Sequence, residues 1–219
     1  MAMLFNYNKE FKNTFELVFN SSIQSEKNLV INTDEYKFSI NYANSNDLRV
    51  SSIIVSSKNQ LIEQKQFSIA SNHLINKIIE KINKNTEFKF IFEDIANIKI
   101  GKIIERKSHP KSEKLFVLKV NFGEYSKTII TNTTYTTEGK YLAWYMNGSI
   151  TPGGLIIKNG EVMGVMSEGM LCSADSLSLS EYTNEFENNV LAKISEPDNY
   201  LGKNIETVYT ELINKTEEK

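Results

Sequence analysis

The sequence predicts an α+β domain over residues 1–93 and an all-β domain over residues 94–206, with an exposed tail over residues 207–219. Three patterns predict this organisation. Strand-like stretches open the chain, one run of apolar residues at helical spacing follows them, and a dense series of short strands fills the second half. The chain has 219 residues, which is enough for two domains of ordinary size.

The first domain is expected to be a sheet covered by one helix. Leu74, Ile75, Ile78, Ile79 and Ile82 recur at spacings of three and four, which is typical of an amphipathic helix. Either Ser71 or Asn72 can cap its start. The strands of this domain are predicted over Thr14–Phe19, Leu29–Ile31, Tyr36–Tyr42, Leu48–Val55 and Phe88–Phe92.

The second domain is predicted to be a β-sandwich or a β-barrel, because many short strands are predicted within about 110 residues. Asn159-Gly160 predicts a two-residue hairpin with a type I′ turn. Ser167–Met170 is too short and too dependent on Gly169 for a strand. Val190–Ile194 could close the barrel. The other strands are predicted over Ile98–Arg106, Leu115–Phe122, Ser126–Thr131, Tyr141–Tyr145, Leu155–Lys158 and Glu161–Val165.

The composition excludes several classes of protein. A net charge of −2 argues against a polybasic protein. One cysteine, Cys172, cannot form an internal disulfide, and two histidines are too few for a structural zinc site, so no metal or cofactor is expected. Charged residues interrupt Met1–Phe19, and no stretch is apolar enough to span a membrane. We therefore expect a cytoplasmic location.

Charge is distributed unevenly along the second domain. Residues 99–140 hold nine Lys or Arg against four Glu, a local charge of +5, whereas residues 141–203 hold three Lys against eight acidic residues, a local charge of −5. Phosphate contacts dominate nucleic-acid affinity, so a local basic surface can bind RNA on an acidic chain.

Several motifs of the second half resemble the tRNA-binding domain family. They are Ile100–Glu105 with His109–Leu115, then Pro152–Gly154, then Ser167–Ser173. This family includes the N-terminal tRNA-binding domain of bacterial phenylalanyl-tRNA synthetase β-subunits, extensions of some methionyl-tRNA synthetases, and stand-alone YtpR-like proteins. The fragment Leu4–Asn8 is similar to the opening strand of the YtpR family. The resemblance implies an α+β N-terminal domain followed by an all-β OB-fold (Greek-key β-barrel) domain that binds tRNA by its shape.

The motifs also suggest which residues contact RNA. Lys111 and Lys114 follow the break at Pro110 and are expected to clamp the phosphate backbone. Ser167 and Ser173 can donate to phosphate or 2′-hydroxyl oxygens, and Met170 can lie against a base or sugar. The predicted RNA-binding residues are Lys102, Arg106, Lys107, Lys111, Lys114, Ser167, Glu168, Met170 and Ser173.

Structural roles compete with binding roles at some of these positions. His109 is expected to hydrogen-bond within its loop, Trp144 to lie in the core, and Cys172 to be a small buried side chain. Met170 can equally plug the barrel end, and Ser173 can cap a short helix. The chain also departs from the family where Met163 stands in place of a basic residue before Gly164.

No catalytic constellation appears in the sequence, so we expect a protein that is not an enzyme. tRNA is the expected partner, and an aminoacyl-tRNA synthetase and a second copy of the chain stay open as others. A chaperone-like or synthetase-docking module that uses the same barrel is the chief alternative function. A truncated synthetase subunit is a third, although the chain lacks the length for that subunit's further domains.

Overall fold

The computed structural model describes residues 2–63, 65–93 and 98–214. It is rich in β-structure and divides into two compact units. The first unit comprises the described residues of 1–95 and 210–219, and the second those of 96–209. Within the described ranges, no helix is long and apolar enough to cross a membrane.

The first unit contains a six-stranded antiparallel sheet and one helix. Its strands run in the order β3-β4-β5-β2-β1-β6. Alternate side chains of the central strands point into one core, as the buried residues at every second position of β4 illustrate. The elements are β1 (Met3–Asn6), β2 (Thr14–Val18), β3 (Lys27–Asn32), β4 (Tyr36–Tyr42), β5 (Val50–Ser57), β6 (Phe67–Ile69) and α1 (Asn72–Lys84).

Helix α1 forms because its apolar residues fall on one face and its start is capped. The Ser71 hydroxyl accepts a hydrogen bond from the Leu74 N–H at 3.2 Å, so Ser71 is the cap. Leu74, Ile78 and Ile82 are buried in the same core as the sheet. The strand predicted over Phe88–Phe92 is wrong, since one isolated bridge between Arg49 and Ile91 stands in its place.

The exposed tail predicted over residues 207–219 is described as far as residue 214, and the prediction is wrong for the part of this stretch that is buried. Ile213 forms a parallel bridge with Ile69 at the edge of the first unit's sheet. Leu212 and Asn214 are buried there, at 4% and 2% exposure. The physical reason is that the edge strand β6 offers unpaired backbone groups, which this segment satisfies.

The second unit is built around a five-stranded sheet with the order β13-β10-β7-β8-β9, in which all neighbours are antiparallel. Among the described residues, a separate two-stranded hairpin, one short α-helix and four 3-10 helices accompany the sheet. The elements are β7 (Ile98–His109), β8 (Ser112–Asn121), β9 (Ser126–Thr131), β10 (Tyr141–Met146), β11 (Gly160–Val162), β12 (Val165–Ser167), β13 (Gly169–Leu171) and α2 (Thr183–Asn188).

Trp144 lies at the centre of the second unit's core, as the sequence predicted. It is fully buried, and its indole Nε1 donates to the Gly101 carbonyl at 3.1 Å. Gly101 has to be a glycine here, because a Cβ would lie 2.6 Å from Val120 and 2.7 Å from Phe122.

Two predictions about the end of this sheet are wrong. Gly169–Leu171 is strand β13, and it pairs with β10, whereas Val190–Ile194 forms no strand. A glycine is needed because a Cβ at Gly169 would lie 2.8 Å from the Tyr145 carbonyl oxygen. The hairpin turn also lies elsewhere than predicted. Met163 and Gly164 have φ values of 50° and 89°, so they form the turn, while Gly160 already belongs to β11.

Candidate nucleic-acid interface

Two turns of the second unit are held together by one histidine. His109 ends β7 and is only 4% exposed. Its Nδ1 accepts a hydrogen bond from the Lys111 N–H at 3.1 Å, so the ring proton lies on Nε2, which is 3.1 Å from the Val162 carbonyl oxygen. His109 thereby ties the β7–β8 turn to the β11–β12 hairpin. The prediction that it bonds within the loop region is confirmed.

The surface formed by Lys111, Lys114, Met163 and Gly164 is called the paired-turn surface below. The Nζ of Lys111 lies directly over Gly164, at 2.9 Å from the position that a Cβ would take there. Lys114 is exposed at the start of β8, and Met163 is 52% exposed. Neither lysine has an acidic partner among the described residues, so both ammonium groups are available to an anion.

Two other predicted basic residues are already engaged with neighbours. The Lys102 Nζ lies 4.8 Å from the centre of the Tyr141 ring and 3.4 Å from the Asp198 carboxylate. The pKa of Lys102 is raised, first by its hydrogen bond with Tyr141 and further by Asp198. The ammonium group of Lys107 forms an ion pair with Glu105.

Arg106 is half-buried and stacks on an aromatic ring. Its guanidinium carbon lies 3.5 Å from the centre of the Phe116 ring. Its Nε is buried and has no hydrogen-bond partner within the part of the chain that the structure describes. Such stacking orients a cation without neutralising it.

Two residues of the second motif hold strands together. Ser167 is 8% exposed, and its hydroxyl accepts from the Ile130 N–H at 3.1 Å and donates to the Gly169 carbonyl at 3.2 Å. Glu168 accepts from the Thr128 N–H at 3.0 Å, and its backbone N–H donates to the Thr128 carbonyl at 2.8 Å. These bonds join β9 to the segment that leads into β13.

The last two predicted contact residues also have structural partners. Met170 is half-buried on β13, opposite Tyr145. The exposed Ser173 accepts from the Ser176 N–H at 3.3 Å and so closes a turn, whereas the cap of the 3-10 helix that follows, Asp175–Leu177, is Ala174. Of the nine predicted residues, the paired-turn surface contains Lys111 and Lys114, and the other seven each have neighbours within the second unit that hold them.

Sequence reasoning overlooked the exposed methionines of the β11–β12 hairpin. Met163 and Met166 are 52% and 48% exposed, which is unusual for methionine. The alternation along β12 could have revealed Met166, because Ser167 is buried and its neighbour must face outward. Met163 could not be placed, since the turn was assigned to the wrong residues.

The one cysteine is placed where a reactive thiol is not expected. Cys172 is fully buried, and burial raises its pKa to about 12. Within residues 2–63, 65–93 and 98–214, no three His, Cys, Asp or Glu side chains are grouped as a metal site requires.

Comparison with known proteins identifies relatives of the second unit. Residues 98–196 match the family model described as "Putative tRNA binding domain". The chain is 31% identical over 112 residues to the "Putative tRNA-binding protein YtpR" of Bacillus subtilis, an alignment that covers 51% of this chain and 56% of that protein.

A further relative is a much longer enzyme subunit. The chain is 42% identical over 90 residues to the phenylalanine–tRNA ligase beta subunit of Thermotoga maritima, which covers 41% of this chain and 11% of that subunit. The crystal structure of a MetRS-related protein from Pyrococcus horikoshii aligns over 35% of this chain and 66% of that chain, with 27% identity and a TM-score of 0.29. This chain thus spans about half of the first relative and a small part of the second.

Proposed function

We propose that the chain is a non-catalytic protein that binds tRNA, because residues 98–196 match the family model described as "Putative tRNA binding domain". The observation that carries the proposal within this molecule is the paired-turn surface. Two unpaired lysines stand there on a rigid pair of turns, which His109 fixes. A rigid basic surface recognises the shape of a folded RNA through its phosphates and needs no base sequence.

We also propose that the second unit is an OB-fold barrel. The strands of the sheet lie side by side in the order β13-β10-β7-β8-β9. Numbered 1 to 5 in chain order, this is 5-4-1-2-3, a Greek-key arrangement. The hydrogen bonds of Glu168 with Thr128 and of Ser167 with Ile130 join the two edges, as closure of a barrel requires. In this fold the face of the second and third strands and the first and last loops bind ligands. The paired-turn surface lies where those two loops meet.

The proposed RNA contacts differ in strength along this surface. Lys111 and Lys114 are the main phosphate contacts, because no neighbouring carboxylate competes for them. Lys107 and Lys102 contribute less, since Glu105 and Asp198 already engage them. Arg106, Met170 and Ser173 stay in the proposed set, whereas Ser167 and Glu168 position the strands that carry it.

The first unit is proposed to be an α+β domain that enlarges the RNA surface, docks to an aminoacyl-tRNA synthetase or mediates a homodimer. Its single helix packs on a six-stranded sheet, which supports the fold assignment. These roles are distinguished by a variant in which the surface lysines of the first unit are substituted. Its tRNA affinity and its oligomeric state are compared with those of the whole unchanged chain.

One observation favours a second candidate function, a module that binds another protein. Leu155, Ile156, Met163 and Met166 are each 44–57% exposed, and they fall within one stretch of chain around the β11–β12 hairpin. Exposed apolar side chains, methionines in particular, are typical of adaptable protein-binding surfaces.

A gel-shift titration decides between these functions. Total tRNA, heat-unfolded tRNA and a double-stranded DNA of equal length are titrated at low and at physiological salt, with an unfolded polypeptide as competitor. The tRNA proposal expects tight binding to folded tRNA, weaker binding to the other nucleic acids and a steep loss of affinity with salt. Equal binding to all three nucleic acids, or no binding to tRNA at low salt, refutes it. Displacement of tRNA by the polypeptide supports the protein-binding module.

A further inference from the structure

A cleft of about 400 Å³ lies at the opposite end of β7 from the paired-turn surface. Lys99, Phe122, Glu124, Tyr125, Leu201 and Lys203 line it. Lys99 and His109 are ten residues apart along β7, which corresponds to roughly 30 Å of strand. The cleft is therefore a separate place on the same unit, and none of the residues predicted from the motifs line it.

The lining of the cleft includes an aromatic ring that is partly exposed to solvent. Tyr125 is 39% exposed, although large aromatic side chains are usually buried. One side of its ring is supported by Phe122, with ring centres 5.5 Å apart and planes inclined by 23°. The Phe122 N–H donates to the Tyr125 carbonyl at 2.8 Å, which closes the tight β8–β9 loop around Gly123. The ring is thus a supported platform.

Ammonium groups surround this platform. The Nζ of Lys99 lies 5.6 Å from the centre of the Tyr125 ring, and that of Lys127 lies 5.9 Å from it. Lys127 is also 3.5 Å from the Glu168 carboxylate, and Glu124 stands in the lining as a negative group. Lys99 and Lys203 have no acidic partner within the described residues. The Nζ of Lys203 lies 4.7 Å from the centre of the Tyr200 ring, a contact that orients the ammonium group without neutralising it. Both charges can therefore still attract an anionic ligand.

The wall that carries Lys203 is fixed to the sheet by backbone bonds. The Ile100 N–H donates to the Lys203 carbonyl and the Gly202 N–H donates to the Ile100 carbonyl, both at 2.9 Å. A Cβ at Gly202 would lie 2.3 Å from the Phe122 carbonyl oxygen, so the wall approaches the platform as closely as only a glycine permits. The cleft is built into the fold and does not depend on a loose loop.

An exposed supported ring with two unpaired cations beside it matches a nucleotide, which has a flat base and a negative phosphate. Base stacking on aromatic side chains combined with backbone phosphate contacts is the general way in which proteins bind single-stranded RNA. We propose that this cleft binds one unpaired nucleotide of the RNA, with the base on Tyr125 and the phosphate between Lys99 and Lys203. This proposal rests on the proposed function, because it adds a second contact to the same RNA.

The test measures binding of the whole chain to three probes: total tRNA, a fluorescein-labelled single-stranded hexanucleotide RNA and AMP. The variants are Tyr125→Ala, Tyr125→Phe, Lys99→Ala with Lys203→Ala, and Lys193→Ala as a matched control on an exposed lysine of the same unit. Loss of the platform is expected to weaken binding of the hexanucleotide by about tenfold and to weaken tRNA binding measurably. Tyr125→Phe keeps the aromatic ring, so both affinities are expected to stay at the wild-type level. Lys193→Ala is also expected to leave them unchanged.

The outcomes separate this proposal from the proposed function. If wild-type protein binds tRNA but Tyr125→Ala and the double lysine variant bind tRNA and hexanucleotide as the wild type does, the cleft proposal is overturned and tRNA binding stands. If wild-type protein binds no tRNA at low salt, the proposed function itself fails. Tight binding of AMP without binding of the hexanucleotide assigns the cleft to a free nucleotide and overturns its role in RNA binding. Thermal melting of each variant checks that the fold is intact.

Discussion

Replacing Lys111 and Lys114 together by alanine tests the paired-turn surface directly. Both side chains are exposed and have no acidic partner among the described residues, and the backbone N–H of Lys111 keeps its bond to His109 in the variant. The substitution therefore removes two positive charges and leaves the link between the turns in place. Surface substitutions of this kind change the free energy of unfolding by no more than about 0.5 kcal/mol.

The magnitude follows from counterion release. Each phosphate that a lysine neutralises contributes about 0.9 to the slope of log affinity against log salt on a duplex. Two such contacts flatten the slope by at most about 1.8. If the variant and the wild type bind equally at about 1 M salt, this corresponds to an affinity loss of at most about 60-fold in 0.1 M salt. Partial contacts give a smaller loss, with about tenfold as the lower expectation.

Fluorescence anisotropy with labelled tRNA at five salt concentrations measures both quantities. Lys193→Ala is the matched control, because its ammonium is 83% exposed and lies 3.8 Å from Glu185. Lys107→Ala is a second comparison, and it is expected to flatten the slope less since Glu105 neutralises this lysine. An unchanged slope in the double variant, or an equal loss in Lys193→Ala, refutes the assignment of the surface.

Three further predictions concern single residues. His109→Ala leaves the Val162 carbonyl and the Lys111 N–H without their hydrogen-bond partner. It is expected to lower the free energy of unfolding, measured by urea titration, by about 2 kcal/mol. An unaltered urea midpoint contradicts the link between the turns. The pKa of Asp198 is lowered, first because the Tyr141 hydroxyl donates to its carboxylate and then because of Lys102. The ionised carboxylate therefore stabilises the fold at pH values above the ordinary aspartate pKa, and this contribution is lost as the pH falls through the lowered pKa. The melting-temperature difference between wild type and Asp198→Asn should therefore be larger at pH 7 than at pH 2, and equal differences would refute this. Cys172, with its pKa of about 12, is expected to react with Ellman's reagent at pH 8 only after denaturation, and rapid labelling of the native protein would show that the thiol is accessible.

The sequence was a good guide wherever a local pattern dictates the structure. The spacing of Leu74, Ile78 and Ile82 with a serine cap predicted α1 correctly. The break at Pro110 located the β7–β8 turn, and the bonding role of His109 follows from its place at the strand end. These features depend on neighbours that are few residues apart, so their physical cause is present in the sequence itself.

The sequence misled where the partner of a residue lies far along the chain. Asn159-Gly160 has the composition of a type I′ turn, yet pairing of Gly160 with Ser167 moves the turn to Met163-Gly164. Met163 was treated as the loss of a basic residue before Gly164. In the folded unit Lys111, from the other turn, places its ammonium over Gly164 and supplies a charge at that position.

By itself, the sequence indicated that the second half is rich in β-strands and resembles the tRNA-binding domain family, with its positive charge in the first three strands. Only the tertiary structure decided which charges are free. Glu105 pairs with Lys107, and Asp198 pairs with Lys102. The Ser167 hydroxyl is hydrogen-bonded within the sheet. Lys99, Lys111, Lys114 and Lys203 have no acidic partner among the described residues. The reason is that the availability of a charge depends on which groups lie within a few ångströms of it, and strand pairing sets that proximity between residues that are distant in the sequence.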